Sequence, residues 1–83
     1  MKIIAVDDEP KALQDLWYEL EKTGIIPMEA VRTFTSPFKA YEYAKTHTID
    51  LAFIDISPPG ISGLEVAKAI RQLKPDSQVI FLS

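Results

Sequence analysis

The stretch that decides the fold is KIIAVDDEP, residues 2–10, in which a short apolar run meets three acids and a proline. The apolar run at 3–6 is continuous instead of alternating, a pattern typical of a strand that is covered on both faces in a parallel sheet. Pro10 suits the first turn of a helix, where its missing N–H group costs nothing, and acids are favourable near the positive end of a helix dipole. We therefore predict a buried strand that leads directly into a helix.

Strand and helix signals continue to alternate along the rest of the chain. Apolar residues at three- and four-residue spacing predict a first helix over about 9–22, with Gly24 as its stop. The mixed polarity of 28–34 is typical of an edge strand, and Ser36 followed by Pro37 predicts the start of a second helix. The remaining predicted elements are a buried strand at 51–54, a third helix with the apolar residues Leu64, Val66, Ala67, Ile70 and Leu73, and a fourth strand at 79–82.

This order of elements predicts an α/β fold. Parallel strands joined by helical crossovers are the common way to bury such an alternation. With 83 residues, 47% apolar and 25% charged, the chain has the composition of one small folded domain and not of a disordered segment. Because no linker or repeat divides the chain, we expect residues 1–83 to form one doubly wound unit.

Composition also argues against several classes of function. The chain has no cysteine, which excludes disulfides and thiolate zinc sites. Its net charge is −3 and its nine Lys and Arg residues are scattered, which argues against a nucleic-acid surface. No apolar run approaches the ~20 residues that cross a bilayer, and no signal peptide opens the chain. We therefore expect a soluble, cytoplasmic protein without membrane contact.

Acidic residues follow two of the predicted buried strands. Asp7 and Asp8 come directly after the first strand, and Asp55 comes directly after the third. A single acid at a strand end is most often a helix cap or a solvated turn, but ligands of open parallel sheets bind at the carboxyl ends of the strands. If the two strands are neighbours, three carboxylates converge, and their mutual repulsion favours a bound divalent cation. The pattern indicates Mg²⁺, which prefers oxygen ligands.

Three motifs at the ends of predicted strands carry a family resemblance: VDDEP at 6–10, DISPPGISGLE at 55–65 and VIFLS at 79–83. With these motifs the chain resembles the receiver domain of two-component response regulators over its whole length, and among them receivers joined to LytTR-type DNA-binding domains. The resemblance implies a flavodoxin-like (CheY-like) doubly wound parallel sheet with strand order 2-1-3-4. It also implies a phosphoacceptor signalling domain that controls an output module, and not a dedicated enzyme.

The resemblance assigns roles to individual polar residues. Asp55 would be the phosphoacceptor, and Asp7 and Asp8 would form the acidic pair that binds Mg²⁺ directly or through water. Asp55 and the backbone carbonyl of Ser57 would complete the protein ligands of the metal. Ser83 would be the switch hydroxyl that hydrogen-bonds the aspartyl phosphate. The phosphoryl donor would be a phosphohistidine on a sensor histidine kinase, or a small acyl phosphate.

Two features depart from the family pattern. Pro58 stands where the family usually has Met or another large apolar residue, and it biases Ser57 toward extended conformations. The chain ends at Ser83, whereas a complete receiver continues through a fourth helix, a fifth strand that carries a lysine, and a fifth helix. We therefore expect an incomplete receiver domain that takes up phosphate slowly, contacts DNA only through an output domain beyond the chain, and self-associates through the exposed edge or face of its sheet.

Three other interpretations of the sequence stand beside that of a phosphoacceptor receiver domain. The first is a truncated, phosphorylation-impaired receiver-like module that works by dimerising or by binding a kinase. The second is a Mg²⁺-dependent phosphohydrolase similar to the haloacid dehalogenase family, which needs Asp-x-Asp after the first strand, whereas the lone candidate nucleophile here follows the third. The third is a dinucleotide-binding fold, which is disfavoured because carboxylates occupy 7–9, where a glycine-rich phosphate loop would lie.

Overall fold

Strands and helices alternate along the chain in the computed structural model, which describes residues 1–56 and 62–82. The strands are β1 (Ile3–Val6), β2 (Val31–Phe34), β3 (Leu51–Asp55) and β4 (Gln78–Leu82). The helices are α1 (Pro10–Thr23), α2 (Pro37–Ala44) and α3 (Gly63–Leu73). The predicted α/β alternation is confirmed.

The four strands form one parallel sheet in the order β2-β1-β3-β4. β1 lies at the centre, with Ile3 between Val31 of β2 and Leu51 of β3. β4 pairs with the other side of β3 along all five residues of both strands. The strand order 2-1-3-4 expected from the family resemblance is confirmed.

The continuous apolar run of β1 is explained by helices that cover both faces of the sheet. Alternate residues of a strand point to opposite faces. Ile4 and Val6 belong to a buried cluster with side chains of α2 and α3, whereas Ile3 and Ala5 pack with Leu13 of α1. All four residues of β1 are buried for this reason.

The helix ends follow the local signals in the sequence. α1 begins at Pro10 and ends at Thr23, and its C-cap Gly24 has a φ of 67°, a left-handed conformation that glycine adopts without strain. At the start of α2, the Ser36 hydroxyl oxygen accepts a hydrogen bond from the backbone N–H of Lys39 at 3.3 Å.

Within the described residues, no helix combines the length and apolar character that a membrane span requires.

Two predicted details differ from the structure. Of the strand expected over 28–34, only Val31–Phe34 is extended, and Met28–Ala30 forms a 3-10 helix. β1 begins at Ile3, which pairs with Val31, so the residues before Val31 have no partner strand. Leu64 and Leu73 were expected on the buried face of α3, but they are 55% and 44% exposed because the buried face follows Val66, Ala67 and Ile70 instead.

Asp50 connects three strands at the amino end of the sheet, which the sequence did not predict. Its carboxylate accepts a hydrogen bond from the backbone N–H of Lys2 at 2.7 Å, and its backbone N–H donates to the Lys2 carbonyl at 2.8 Å. Its own carbonyl accepts from the N–H of Gln78 at 3.0 Å, and Lys74 Nζ lies 3.6 Å from its Oδ1. These contacts join the starts of β1, β3 and β4.

The charges around Asp50 make this junction sensitive to pH. The hydrogen bond from Lys2, aided by the charge of Lys74, lowers the pKa of Asp50 below 3.8. A carboxyl whose pKa is lower in the folded chain stabilises the fold above its unfolded-state pKa, and this contribution is lost as the pH falls through the folded-state pKa. The hydrogen bond to Asp76 is the main cause that raises the pKa of Lys74 above 10.5, so the contribution of Lys74 is lost only as the pH rises through that raised value.

We predict that the stability of Asp50→Asn falls less steeply than that of the wild type as the pH is lowered from neutral. The amide cannot ionise, so the stability difference from the wild type should be largest near neutral pH and should shrink as Asp50 becomes protonated in the wild type. Urea unfolding midpoints between about pH 2 and pH 7 measure this difference. Asp15→Asn, at an exposed position of α1, should follow the wild-type profile, and an equal acid slope in Asp50→Asn and the wild type would contradict the prediction.

Candidate functional site

Two neighbouring strands bring three carboxylates to the carboxyl edge of the sheet. Val6 of β1 lies beside Ile54 of β3. β1 is followed directly by Asp7 and Asp8, and β3 ends in Asp55. Carboxylate oxygens of Asp7, Asp8 and Asp55 all lie within 4.8 Å of one another. The convergence predicted from the sequence is confirmed, whereas the chemical roles of the three residues stay predictions.

Asp7 is held by the backbone on both sides. Its N–H donates to the carbonyl of Phe34 at 3.1 Å, which extends the β1–β2 ladder by one residue. Its Oδ1 accepts a hydrogen bond from the N–H of Glu9 at 3.0 Å, which turns the chain into α1. Asp7 is half-buried, while Asp8 is exposed.

Asp55 is the last residue of β3 and is half-buried. Beyond it, the N–H of Ile56 donates to the carbonyl of Leu82 at 3.1 Å, so the end of β3 is joined to β4. Gly63, the first residue of α3, lies directly against the backbone of Asp55: an ideal Cβ on Gly63 would stand 2.5 Å from the Asp55 carbonyl oxygen. The sequence interpretation gave Gly63 no role, because this approach depends on how α3 packs on β3.

The three carboxylates form a donor set that fits Mg²⁺. At the observed separation each pair of ionised groups repels by about 1–4 kcal/mol, for an effective dielectric between that of water and ~20. A bound divalent cation attracts all three carboxylates and so offsets their mutual repulsion. Mg²⁺ takes hard oxygen ligands at ~2.1 Å, usually with water completing its octahedron. Oxygens of Asp7, Asp8 and Asp55 within 4.8 Å of one another are close enough to share such an ion, with water between the ion and the more distant groups.

Three predicted site features lie outside the described residues. They are the Ser57 carbonyl as a metal ligand, the effect of Pro58 on the conformation of Ser57, and the Ser83 hydroxyl as the switch group. Their roles therefore stay predictions. The described part of the candidate site consists of Asp7, Asp8 and Asp55.

A large groove of the described structure is at a different place. It has a volume of about 890 Å³ and is lined by residues of α2, α3 and β4, among them Tyr41, Leu64 and Phe81. None of the three clustered aspartates is among its described lining residues. The carboxylate cluster is therefore separate from this groove, and its oxygen donors suit a metal ion.

Comparison with known proteins gives the family. The model of the response regulator receiver domain matches residues 3–83. The chain is 34% identical over 82 residues to the alkaline phosphatase synthesis transcriptional regulatory protein PhoP of Bacillus subtilis, covering 99% of this chain and 32% of PhoP. It is 33% identical over 82 residues to the sensory transduction protein LytR of Staphylococcus haemolyticus, covering 98% of this chain and 31% of LytR. The chain thus spans about a third of the length of these relatives.

Solved structures of the response regulator protein TrrA from Thermotoga maritima are similar in fold and sequence. TrrA in complex with Mg²⁺-BeF matches with a TM-score of 0.78 and 39% identity, over 98% of this chain and 68% of that chain. TrrA in complex with the histidine kinase ThkA matches with a TM-score of 0.76 and 39% identity, over 100% of this chain and 69% of that chain. Taken with the family match, the sheet order and the clustered aspartates, these likenesses show that the chain belongs to the response regulator receiver domain family.

Proposed function

We propose that this receiver domain accepts a phosphoryl group on Asp55, with Mg²⁺ held by Asp7, Asp8 and Asp55. The observation that carries the proposal is the cluster of the three carboxylates within 4.8 Å at the carboxyl edge of the sheet. Family membership supports it, because the relative TrrA has a structure in complex with Mg²⁺-BeF.

Asp55 is the best placed of the three aspartates to act as the nucleophile. Asp7 fixes the turn into α1 through its hydrogen bond from Glu9, and Asp8 is exposed on that turn. Asp55 ends β3, and the backbone bond from Ile56 to Leu82 restrains the strand just beyond it. Because a carboxylate is a weak nucleophile, phosphoryl transfer to it depends on such fixed, in-line positioning.

The transfer step exchanges one bond to phosphorus for another. A carboxylate oxygen of Asp55 forms a bond to the phosphorus, and the bond between phosphorus and the donor breaks with its electron pair staying on the donor. When bound, Mg²⁺ supplies positive charge that offsets the negative charges of the phosphoryl group and of the three aspartates. Asp7 and Asp8, which follow β1, would hold the ion together with Asp55 of β3.

The proposed donor is a phosphohistidine of a sensor histidine kinase. The structure of TrrA with the histidine kinase ThkA supports this choice, because it shows a similar receiver domain bound to such a kinase. The similarity to the transcriptional regulator PhoP supports control of transcription through an output domain of the whole protein. Self-association through β4, in which Ile80 and Phe81 are 45% and 39% exposed, stays a prediction.

We predict that Mg²⁺ binding depends on Asp8. Trp17, the only tryptophan of the chain, lines a groove with Pro10 and Leu13 next to the turn that carries Asp7 and Asp8, so its fluorescence should report the metal. Asp8→Asn should weaken the Mg²⁺ affinity of the wild type by about tenfold or more, because the ion loses a charged oxygen ligand.

The control for this titration is Asp15→Asn, which removes the same charge from an exposed position of α1 outside the cluster. It should bind Mg²⁺ like the wild type. Amide shifts of residues 8 and 55 measured during the same titration show whether the ion binds at the cluster. Equal affinities for the wild type and Asp8→Asn, or no response to millimolar Mg²⁺, would rule out the assembled metal site.

A further inference from the structure

A close contact between α3 and the end of β3 lies directly behind the candidate phosphoacceptor. Gly63 has no side chain, and the position that its Cβ would take is 2.5 Å from the Asp55 carbonyl oxygen and 2.9 Å from Cγ2 of Ile54. Real Cβ atoms essentially never approach another heavy atom within 3.0 Å. Any residue other than glycine at position 63 must therefore displace at least one of these groups.

The φ angle of Gly63 does not explain why position 63 is occupied by glycine. Among the described glycines only Gly24 has a positive φ, whereas Gly63 is the first residue of a regular helix that Ser62 caps. The Ser62 hydroxyl oxygen accepts from the N–H of Glu65 at 3.3 Å. The requirement at position 63 is space beside Asp55 and not conformational freedom.

The packing around the contact determines which side would move. Ile54 is fully buried, and Val66 and Ile70 hold α3 in the same buried cluster, so neither the Ile54 methyl group nor the helix has free room. The tightest overlap would be with the Asp55 carbonyl oxygen, at 2.5 Å. The Ile56 N–H bond to Leu82 ties this strand end to β4, but Asp55 is half-buried and Ile56 is 44% exposed, so the backbone there has more room than the buried Ile54 side chain. An added methyl group at position 63 would therefore displace the backbone of Asp55.

We propose that Gly63 is a positioning residue for Asp55. By leaving room for the Asp55 carbonyl against the first turn of α3, it sets the distance of the Asp55 carboxylate from Asp7 and Asp8. The inference rests on the proposed function, since it concerns the same phosphoacceptor. It predicts that one methyl group added at position 63, outside the carboxylate cluster, moves the Asp55 carboxylate relative to Asp7 and Asp8.

The test compares Gly63→Ala with two variants that disturb a helix end without adding bulk next to Asp55. Gly24→Ala places alanine in the left-handed conformation at the end of α1, where nothing lies within 4 Å. Ser62→Ala removes the cap of α3. Each variant is measured for its unfolding midpoint, its Mg²⁺ affinity and its rate of phosphorylation by acetyl phosphate. Amide shifts of residues 7, 8 and 55 are recorded without metal.

We expect Gly63→Ala to shift the amide signals of the cluster in the metal-free protein and to slow phosphorylation by about ten- to a hundredfold, the scale of a misplaced reacting group. Gly24→Ala and Ser62→Ala should lower stability but keep wild-type rates once they are folded. If Gly63→Ala unfolds in buffer, the comparison is made in an osmolyte that restores its helical circular dichroism.

Different outcomes separate this inference from the proposed function. A wild type that takes up no phosphate overturns the proposed function, and the metal-free amide shifts then still decide whether Gly63 positions Asp55. A wild type that is phosphorylated at the same rate as Gly63→Ala overturns the inference alone. So does a Gly63→Ala variant that stays unfolded in osmolyte, because the contact would then serve only the packing of the fold.

Discussion

Replacing Asp55 with asparagine is expected to abolish phosphoryl uptake by this receiver domain while leaving its fold intact. The amide oxygen of asparagine is a poorer nucleophile than a carboxylate, and no stable acyl phosphate forms on it. Because Asp55 is half-buried at the end of β3, a side chain of the same size should keep the strand in place. Asp55→Asn should also weaken Mg²⁺ binding, because the cluster loses one of its three charges.

Intact-protein mass measured after incubation with acetyl phosphate and Mg²⁺ tests this prediction. The wild type should gain the mass of one phosphoryl group, and Asp55→Asn should gain none. Asp50→Asn is the matched control, because Asp50 precedes the same strand but lies at the opposite end of the sheet, hydrogen-bonded to Lys2. Equal phosphorylation of Asp55→Asn and Asp50→Asn would place the acceptor elsewhere.

The second large effect is expected in the core. Ile70 of α3 is fully buried in the cluster that contains Ile4 and Ile54. Truncation of such a side chain to alanine removes apolar contacts and leaves a cavity, and it typically costs ~2–5 kcal/mol. A domain of this size has a free energy of unfolding of roughly 4–12 kcal/mol, so Ile70→Ala should remove a large part of it.

Chemical unfolding of Ile70→Ala and Leu73→Ala measures this effect within one helix. Leu73 is 44% exposed, so its truncation should cost about 1 kcal/mol or less. Mg²⁺ should raise the unfolding midpoints of both variants, because it binds only the folded state and Ile70 is outside the carboxylate cluster. Equal losses of stability in the two variants would contradict the burial of Ile70.

The alternation of strands and helices and the carboxylate cluster could be predicted because their signals are local, whereas the strand order came from the family resemblance. Each buried strand is a short apolar run, and an acid directly follows two of these runs. Parallel strands place their carboxyl ends at one edge of the sheet. Asp7 and Asp55 therefore lie close together because β1 and β3 are adjacent strands. Their roles came from the family resemblance, and they are still proposals.

Features that depend on tertiary packing could not be predicted in the same way. The extent of β2 was overestimated because the strand starts only where β1 offers a partner, at Val31. The junction at Asp50 joins residues that are far apart in sequence, such as Lys2 and Gln78. Gly63 gives no sign in the sequence that its missing side chain makes room for Asp55, because that contact exists only once α3 is packed on β3.

The central claim is that Asp55 is the phosphoacceptor of a site that needs Mg²⁺. The most direct measurement is to map the phosphoryl group after incubation with acetyl phosphate, by reducing the acyl phosphate with borohydride and sequencing the peptides by mass spectrometry. We predict that the modification maps to Asp55 alone and disappears when Mg²⁺ is chelated. A modification on Asp7, Asp8 or another residue, or uptake that is unchanged by chelation, would contradict the claim.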